Sequence, residues 1–285
     1  MNHVVLIPFT GIGLQGGFRG DVWYSKRIEI FKNYTLKSLA NQTNKDFIIW
    51  CTFRPQEITN PLTAEIRRAI LDVGLQCVFT YNGPPFHDDK FGGSLWDKTK
   101  NAARVVRSCY RNKTMKDLIP NIFEIFQDKN STLPQRLQRS LDALKPHLKE
   151  GVLLTRIDSD DMFEATALEK IQASVWSRVC MSKGYIYNVD TEQLAEYNPK
   201  TNPPFYSLFF RPDQFFDATK HIKHYRGFKS HEDITCEDTL EDRLYCVTVR
   251  NDPKTHISTT FDHPYRGELI GDILEKQRIL SSFGL

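Results

Sequence analysis

The sequence has no run of 18 or more apolar residues and no cysteines paired as CxxC. The first absence excludes a membrane-spanning helix, although peripheral contact with a membrane stays open. The six cysteines are scattered along the chain, whereas zinc sites and disulfide frameworks usually show tighter spacing. We therefore expect reduced, mostly buried thiols in a cytoplasmic protein.

Other signals are also missing from the sequence. The N-terminus shows no basic segment followed by a long apolar one, so no signal peptide is expected. The glycine-rich residues 11–20 lack the Lys-Ser/Thr ending of a Walker A loop and do not continue as GxGxxG, so a flexible connection is the better interpretation. The net charge of +3 is too small to indicate nucleic-acid binding, but it suits anionic ligands such as nucleotide diphosphates.

What is present indicates a globular α/β protein. The 285 residues are 40% hydrophobic and 26% charged, enough for one large domain or two closely packed subdomains. Apolar strand-like runs alternate with segments of helical periodicity, which predicts a mostly parallel sheet flanked by helices. The predicted strands are residues 3–9, 46–53, 76–81 and 151–157, and the helices among them are 23–39, 62–73 and 94–106.

The remaining segments differ from this alternation. Residues 107–150 lack a clear strand and are predicted to form a helical insertion, with an amphipathic stretch at 133–148. After residue 163, short strands at 184–189, 193–197 and 206–211 predict an antiparallel patch. The other predicted elements are a helix at 165–179, a helix at 235–244, a strand at 245–250 and a closing helix at 268–281.

The chemistry concentrates in the acidic run, Asp158-Ser159-Asp160-Asp161, which follows the strand 151–157. Open α/β sheets bind ligands at the carboxyl ends of their strands. Clustered carboxylates repel one another, and their oxygens suit Mg²⁺ or Mn²⁺, which also bridges to phosphate oxygens and neutralises a departing diphosphate. The alternative is a solvated acidic turn that caps the next helix.

The segment 154–161, LTRIDSDD, resembles the DxD strand end of the GT-A glycosyltransferases. In particular it is similar to a bacterial rhamnosyltransferase family whose members carry a TRxDSDD segment. Residues 34–50 resemble the helix and second strand of that family, and residues 236–244 resemble its "ED…L…R" segment. The helix 94–106 occupies the place of the helix that approaches the diphosphate in inverting GT-A enzymes. The resemblance covers most of the chain.

This resemblance implies a GT-A-like fold in which residues 1–162 bind the nucleotide-sugar and carry the insertion 107–150. Residues 163–285 would form the acceptor-binding and catalytic region of the same domain, with the smaller antiparallel patch. The implied activity is a metal-dependent hexosyltransferase of polysaccharide biosynthesis, with rhamnosyl only as the family's label. It would move a sugar, with inversion, from a UDP-, dTDP- or GDP-linked donor to a glycan or glycolipid hydroxyl.

The resemblance also implies roles for the acidic run. Asp160 would be the principal metal ligand, and Asp158 would contact the ribose or sugar and help to hold the metal. Asp161 would contact the donor sugar or support the loop. His256 is a further candidate ligand to the metal, against the alternative of a structural histidine. Arg156 lies within the strand and is expected to pair with the acidic run.

The candidate general base is Asp238, with Glu237 orienting the acceptor or the base and Asp233 as the rival base. Acidic residues in a first helical turn are the structural alternative for Glu237 and Asp238. Lys98 and Asn101, four and seven residues into the helix 94–106, are candidates for diphosphate binding, although such residues usually form a solvated face.

Two features leave other functions open. Many GT-A enzymes recognise the nucleobase of the donor with an acidic residue near the end of the second strand. Residues 51–54 provide no such acidic residue. A metal-dependent phosphohydrolase or nuclease also needs carboxylates at strand ends, but it would usually show further His or Asp ligands early in the chain, where this sequence has Pro8-Phe9-Thr10. A non-catalytic GT-A-like binding protein is the third alternative.

Overall fold

The computed structural model describes residues 2–10, 20–82, 95–112, 115, 118–119, 122, 133–174, 178–199, 205–225, 236–251 and 260–285. In these ranges ten strands form one sheet with helices on both faces. The strands are β1 Asn2–Pro8, β2 Ile48–Thr52, β3 Gln76–Thr80, β4 Val152–Arg156, β5 Met162–Phe163, β6 Arg178–Asn188, β7 Gln193–Tyr197, β8 Tyr206–Phe210, β9 Asp238–Val249 and β10 Arg266–Leu269.

Nine α-helices lie in the same ranges, together with short 3-10 helices at Pro55–Thr59 and Lys145–His147. The α-helices are α1 Gly20–Asn33, α2 Thr35–Ala40, α3 Pro61–Asp72, α4 Leu95–Asn112, α5 Leu133–Leu144, α6 Ala167–Ala173, α7 Pro212–Phe215, α8 Ala218–Tyr225 and α9 Ile273–Ser282. None of them combines the length and the apolar character of a membrane span.

The parallel half of the sheet has the strand order β4-β1-β2-β3. β1 lies in the middle, with Leu6 opposite Trp50 of β2 on one side and Arg156 of β4 on the other. The strands β1 and β4 are buried almost throughout, as continuous apolar runs require when helices cover both faces. The predicted α/β fold, with a parallel sheet flanked by helices, is confirmed.

Alternate residues of β1 face two separate cores. Val5 and Ile7 pack against α1, α2, α3 and α6, whereas Val4 and Leu6 pack against α5, α7 and α8. This alternation follows from the two-residue period of a strand. The amphipathic stretch predicted at 133–148 forms α5, and the leucines of α5 pack in the core that contains Val4 and Leu6.

The antiparallel half is built around β6. β8 joins β4 to the start of β6, and β7 pairs with the end of β6 and carries β10 at the edge. β6 begins at Arg178, so the helix predicted at 165–179 is shorter and ends at Ala173.

The helix predicted at 235–244 is wrong, because this segment begins the long strand β9. The acidic residues there suggested a first helical turn. Instead, Thr239 and Glu241 occupy exposed positions at the start of a strand whose second half is fully buried. β9 runs parallel to β6 and also pairs with β5. The predicted closing helix begins later than expected, at Ile273, because β10 precedes it.

Two cysteines correct the expectation of six reduced thiols. Cys180 on β6 and Cys236 directly before β9 form a disulfide, with their Cα atoms 5.8 Å apart. The cysteines at 51, 77, 109 and 246 are free thiols. The scattered spacing gave no sign of the bond because the two residues are 56 positions apart and meet only through strand pairing.

Candidate functional site

The acidic run lies at the carboxyl edge of the parallel half. The main-chain N–H of Ile157 donates to Leu6 O (3.1 Å), so β4 stays paired with β1 up to the first aspartate. The chain then turns, and the N–H of Asp161 donates to Asp158 O (3.2 Å). β1 has its sequence neighbour β2 on one side and β4 on the other, which makes this edge a topological switch point. The predicted position of the run is therefore reproduced.

Asp160 is held by an arginine that we did not predict. Arg27 of α1 donates from Nη1 to Asp160 Oδ2 (2.6 Å) and from Nη2 to Asp160 Oδ1 (2.8 Å). Its Nε donates to Ser159 Oγ (2.7 Å). Both partners are nearly buried, with side-chain exposures of 10% for Arg27 and 8% for Asp160. The arrangement is a bidentate ion pair that ties α1 to the acidic run.

β9 closes over the other side of the run. The main-chain N–H of Thr248 donates to Asp161 Oδ1 (3.1 Å), and the Thr248 hydroxyl donates to Asp160 O (2.6 Å). The pairing of Met162 with Cys246 sets this contact, because it brings the end of β9 beside the turn. Burial, followed by the neighbouring charges of Asp160 and Asp158, raises the pKa of Asp161 well above its usual range.

Arg250 follows β9 directly and adds a second cation beside the buried aspartates. Its Nη1 donates to Thr248 Oγ1 (2.9 Å), and its guanidinium carbon lies 4.7 Å from the ring centroid of Tyr34. Its Nη2 is buried and has no hydrogen-bond partner within the described part of the chain. Burial lowers the pKa of Arg250, although the charge of Asp160 opposes that effect.

Asp158 differs from its two neighbours. Arg156 Nη2 donates to Asp158 Oδ1 (2.9 Å), which confirms the predicted pairing of Arg156 with the run. The side chain of Asp158 keeps 33% of its surface exposed. It is therefore the carboxylate of the run that a ligand can reach.

The described residues do not fit a divalent cation at Asp160. Both carboxylate oxygens already accept from one guanidinium, and Mg²⁺ or Mn²⁺ would need those same oxygens. The described ranges hold no group of three or more His, Cys, Asp or Glu side chains arranged to bind a metal. The metal predicted at Asp160 and Asp158 is therefore not matched by this geometry.

The structure does not bring Asp238 into contact with the acidic run. One row of paired residues crosses the sheet from Asp238 through Val179 and Ser207 to Thr155 of β4. Three strand spacings separate its ends, or about 14 Å. The Asp238 carboxylate accepts from Ser174 Oγ (3.3 Å), and Glu237 lies beside it in the main chain, where its N–H donates to Arg178 O (3.0 Å).

Four other predicted site residues cannot be placed in the site. Asp233 and His256 lie outside the described residues. Lys98 and Asn101 belong to α4, but their side chains are outside the described part of the structure. The roles assigned to all four stay predictions.

One buried acid near the end of β2 was also missed. Glu57 is 1% exposed, and its carboxylate accepts from Arg54 Nε (2.7 Å) and from Asn60 Nδ2 (2.8 Å). No acid was expected beyond residue 54, because the sequence does not predict the 3-10 helix Pro55–Thr59 that carries Glu57.

Sequence reasoning could have found Arg27 but not Thr248 or Arg250. Arg27 lies within the apolar stripe of α1, beside Tyr24, Ile28 and Phe31, and a charged residue inside such a stripe indicates a buried partner. No comparable signal marks the end of β9.

The sequence matches no protein-family model and no curated protein. Among solved structures, the chain is similar to S. aureus TarS, at 12% identity and a TM-score of 0.35, over 87% of this chain and 37% of that one. It is also similar to TarS 1–349 in complex with UDP, at 14% identity and a TM-score of 0.37, over 87% of this chain and 61% of that one. The chain thus spans less than two thirds of these proteins. At such values the function has to be argued from the chain's own residues.

Proposed function

We propose that this protein is a glycosyltransferase that binds a nucleotide-sugar at the carboxyl edge of β4 and transfers the sugar to an acceptor hydroxyl. The observation that carries the proposal is the pre-organised acidic run at the switch point between β1 and β4. Its buried residues are fixed by Arg27 and Thr248, so only Asp158 presents a partly exposed carboxylate. A fixed backbone with one reachable hydrogen-bond acceptor, the Asp158 carboxylate, suits the recognition of sugar hydroxyls.

The proposed reaction is a direct displacement at the anomeric carbon. The acceptor oxygen forms the new bond to this carbon while the bond to the donor phosphate breaks, and the electron pair leaves with the nucleoside diphosphate. The acceptor proton passes to a base or to water. Asp158 would orient the donor by accepting from a ribose or sugar hydroxyl. Asp238 was the first candidate for this base, but it lies about three strand spacings from β4, so its rival Asp233 is the base in this proposal.

The alternative of a metal-dependent phosphohydrolase or nuclease gains nothing from the structure. Such an enzyme would need the oxygens of Asp160 for its cation, and Arg27 occupies them. A non-catalytic binding protein would use the same site, and only an activity measurement separates it from a transferase.

A donor panel tests the proposal. The purified protein is mixed with UDP-, GDP-, dTDP- and CDP-linked sugars, and both the melting temperature and the release of nucleoside diphosphate are measured. We expect one nucleotide class to raise the melting temperature and to be turned over, slowly with water and faster with an acceptor. Absence of stabilisation by every donor would overturn the proposal, and stabilisation without any turnover would favour the binding protein.

Two matched variants locate the activity. Asp158→Asn should lower kcat/KM by about tenfold or more, because a charged acceptor is replaced by a neutral amide. Asp213→Asn changes an exposed aspartate that pairs with Lys220 on the surface, and it should leave kcat/KM unchanged. Equal activity of the two variants would remove Asp158 from the site.

A further inference from the structure

Three arginines match the three aspartates of the acidic run. Arg27 pairs with Asp160, Arg156 pairs with Asp158, and Arg250 lies against Thr248, which in turn binds Asp160 and Asp161. Even with every group ionised, these six side chains carry no net negative charge. A cluster balanced in this way offers a divalent cation no net attraction, whereas an unpaired carboxylate cluster would.

Displacing Arg27 to admit a metal would be unfavourable. Its guanidinium is nearly buried and uses Nε, Nη1 and Nη2 together on Ser159 and Asp160. A metal that took Asp160 would leave this guanidinium buried, without its counter-ion and next to a second positive charge. The pair is thus a stable occupant of the position where the resemblance implies a metal.

Arg250 has a guanidinium nitrogen without a partner in the described part of the chain, whereas all three guanidinium nitrogens of Arg27 donate to the acidic run. Tyr34 holds the guanidinium through its ring face and a side-chain hydrogen bond, and Thr248 accepts from Nη1. The buried Nη2 has no acceptor at hydrogen-bond distance among the described residues. An unsatisfied buried donor is rare and calls for a ligand, and a phosphate oxygen is a strong acceptor for a guanidinium.

We infer that the site binds the donor's diphosphate through arginine rather than through a divalent cation, with Arg250 donating to a phosphate oxygen and Arg27 occupying the metal position at Asp160. The inference rests on the proposed function, because it presumes a nucleotide diphosphate at this edge. In the transfer step, Arg250 would neutralise charge that develops on the departing diphosphate as the bond to the sugar breaks.

Calorimetric titrations with UDP, GDP, CDP and dTDP, in excess EDTA and again in Mn²⁺, test the inference. We expect the dissociation constant of the preferred diphosphate to agree within about twofold between the two conditions, and Mn²⁺ alone to show no binding. Binding that requires Mn²⁺, or binding of Mn²⁺ alone that Asp160→Asn abolishes, would overturn the inference and leave the glycosyltransferase proposal intact. Failure of every diphosphate in both conditions would refute the proposed function itself.

Substitutions assign the role to Arg250. Arg250→Ala should weaken diphosphate binding by about tenfold or more, since a hydrogen bond to a charged group is lost. Binding of the matching nucleoside monophosphate should weaken less if Arg250 contacts the second phosphate. Arg250→Lys keeps the charge and the fold and should recover part of the affinity. Wild-type affinity in both variants would exclude Arg250.

A second arginine serves as the control. Arg266 also lies over an aromatic ring, 5.1 Å from the Phe261 centroid, and pairs with Asp262 at the edge strand β10. Arg266→Ala should leave diphosphate affinity unchanged. The melting temperature of each unliganded variant shows whether it is folded, so that a loss of binding is not confused with unfolding.

Discussion

The acidic run has an exposed end at Asp158 and a buried end at Asp160 and Asp161, and Asp158 and Asp160 hold their charge in different ways. Asp160 keeps 8% of its side-chain surface exposed and accepts two hydrogen bonds from Arg27, whereas Asp158 keeps 33% and accepts one from Arg156. Water screens the charges of the Asp158–Arg156 pair and competes for its hydrogen bond, but it hardly reaches the Asp160–Arg27 pair. The difference separates two tasks: the buried end fixes the backbone of the site, and the exposed end is available to a ligand.

The largest expected effect comes from breaking the buried pair. Arg27→Ala leaves the Asp160 carboxylate buried without its counter-ion, and the free energy of unfolding should fall by about 3–5 kcal/mol. Urea unfolding followed by circular dichroism measures this change. Lys32→Ala on the same helix removes only an exposed pair with Glu65 and should cost about 0–1 kcal/mol. A loss for Arg27→Ala no greater than that of the control would contradict the buried role.

The stability of the protein at acid pH tests the role of the buried histidine that contacts β4, the strand that precedes the acidic run. His3 Nε2 and Thr155 Oγ1 share a hydrogen bond (2.7 Å), and Thr155 Oγ1 shares another with Ser207 Oγ of β8 (2.6 Å). Burial lowers the pKa of His3 to about 3, and burial also lowers the pKa of His221 to about 3. The unfolded chain therefore binds protons first, and stability should be lost as pH falls from about 6.5 towards 3, by up to about 1.4 kcal/mol per pH unit for each histidine.

Unfolding curves across that pH range provide the measurement. His3→Gln should reduce the slope by about 1.4 kcal/mol per pH unit, because the contribution of His3 is removed while those of the buried His221 and the half-buried His224 remain. His147→Gln changes an exposed histidine and serves as the control. An unchanged slope in His3→Gln would mean that His3 is protonated normally in the folded protein.

A smaller effect is expected from the strand that closes the buried end. Thr248→Val removes the hydroxyl that donates to Asp160 O and accepts from Arg250, so two buried groups lose a partner. The expected loss is about 1–3 kcal/mol in the free energy of unfolding. Thr239→Val, at the exposed start of the same strand, should change it by less than about 0.5 kcal/mol. Equal losses would show that the strand, rather than the contact with the run, determines the effect.

The smallest effect on stability belongs to the exposed end. Asp158→Asn keeps the size of the side chain and loses only a partly screened ion pair, so the free energy of unfolding should change by about 0–1 kcal/mol. The same variant should show the large loss of kcat/KM expected above. A variant that unfolds easily would place Asp158 with the buried residues and remove the distinction between the two ends.

Much of the parallel half was predictable from the sequence. Strands β1 and β4 are continuous apolar runs, and such runs can be buried on both faces only between helices. The helix 23–39 was predicted as one element, whereas the chain breaks at Tyr34 into α1 and α2. No proline or glycine marks that break, so periodicity alone could not reveal it.

The segment around residue 238 was less predictable. Acidic residues suit both a first helical turn and the exposed positions of a strand, and only pairing with β6 decided between them. The same pairing moved the expected base away from β4 and brought Cys236 to Cys180. The interpretation of this one element therefore affected both the expected position of the candidate base and the predicted state of two thiols.

The sequence by itself determined the α/β class, the strands of the parallel half and the place of the acidic run at the end of β4, because local periodicity and apolar burial specify these features. Tertiary structure alone decided what holds the run. Arg27 reaches Asp160 across 133 positions and Thr248 reaches Asp161 across 87. Contacts over such separations depend on how strands and helices are arranged, and no local pattern records that arrangement.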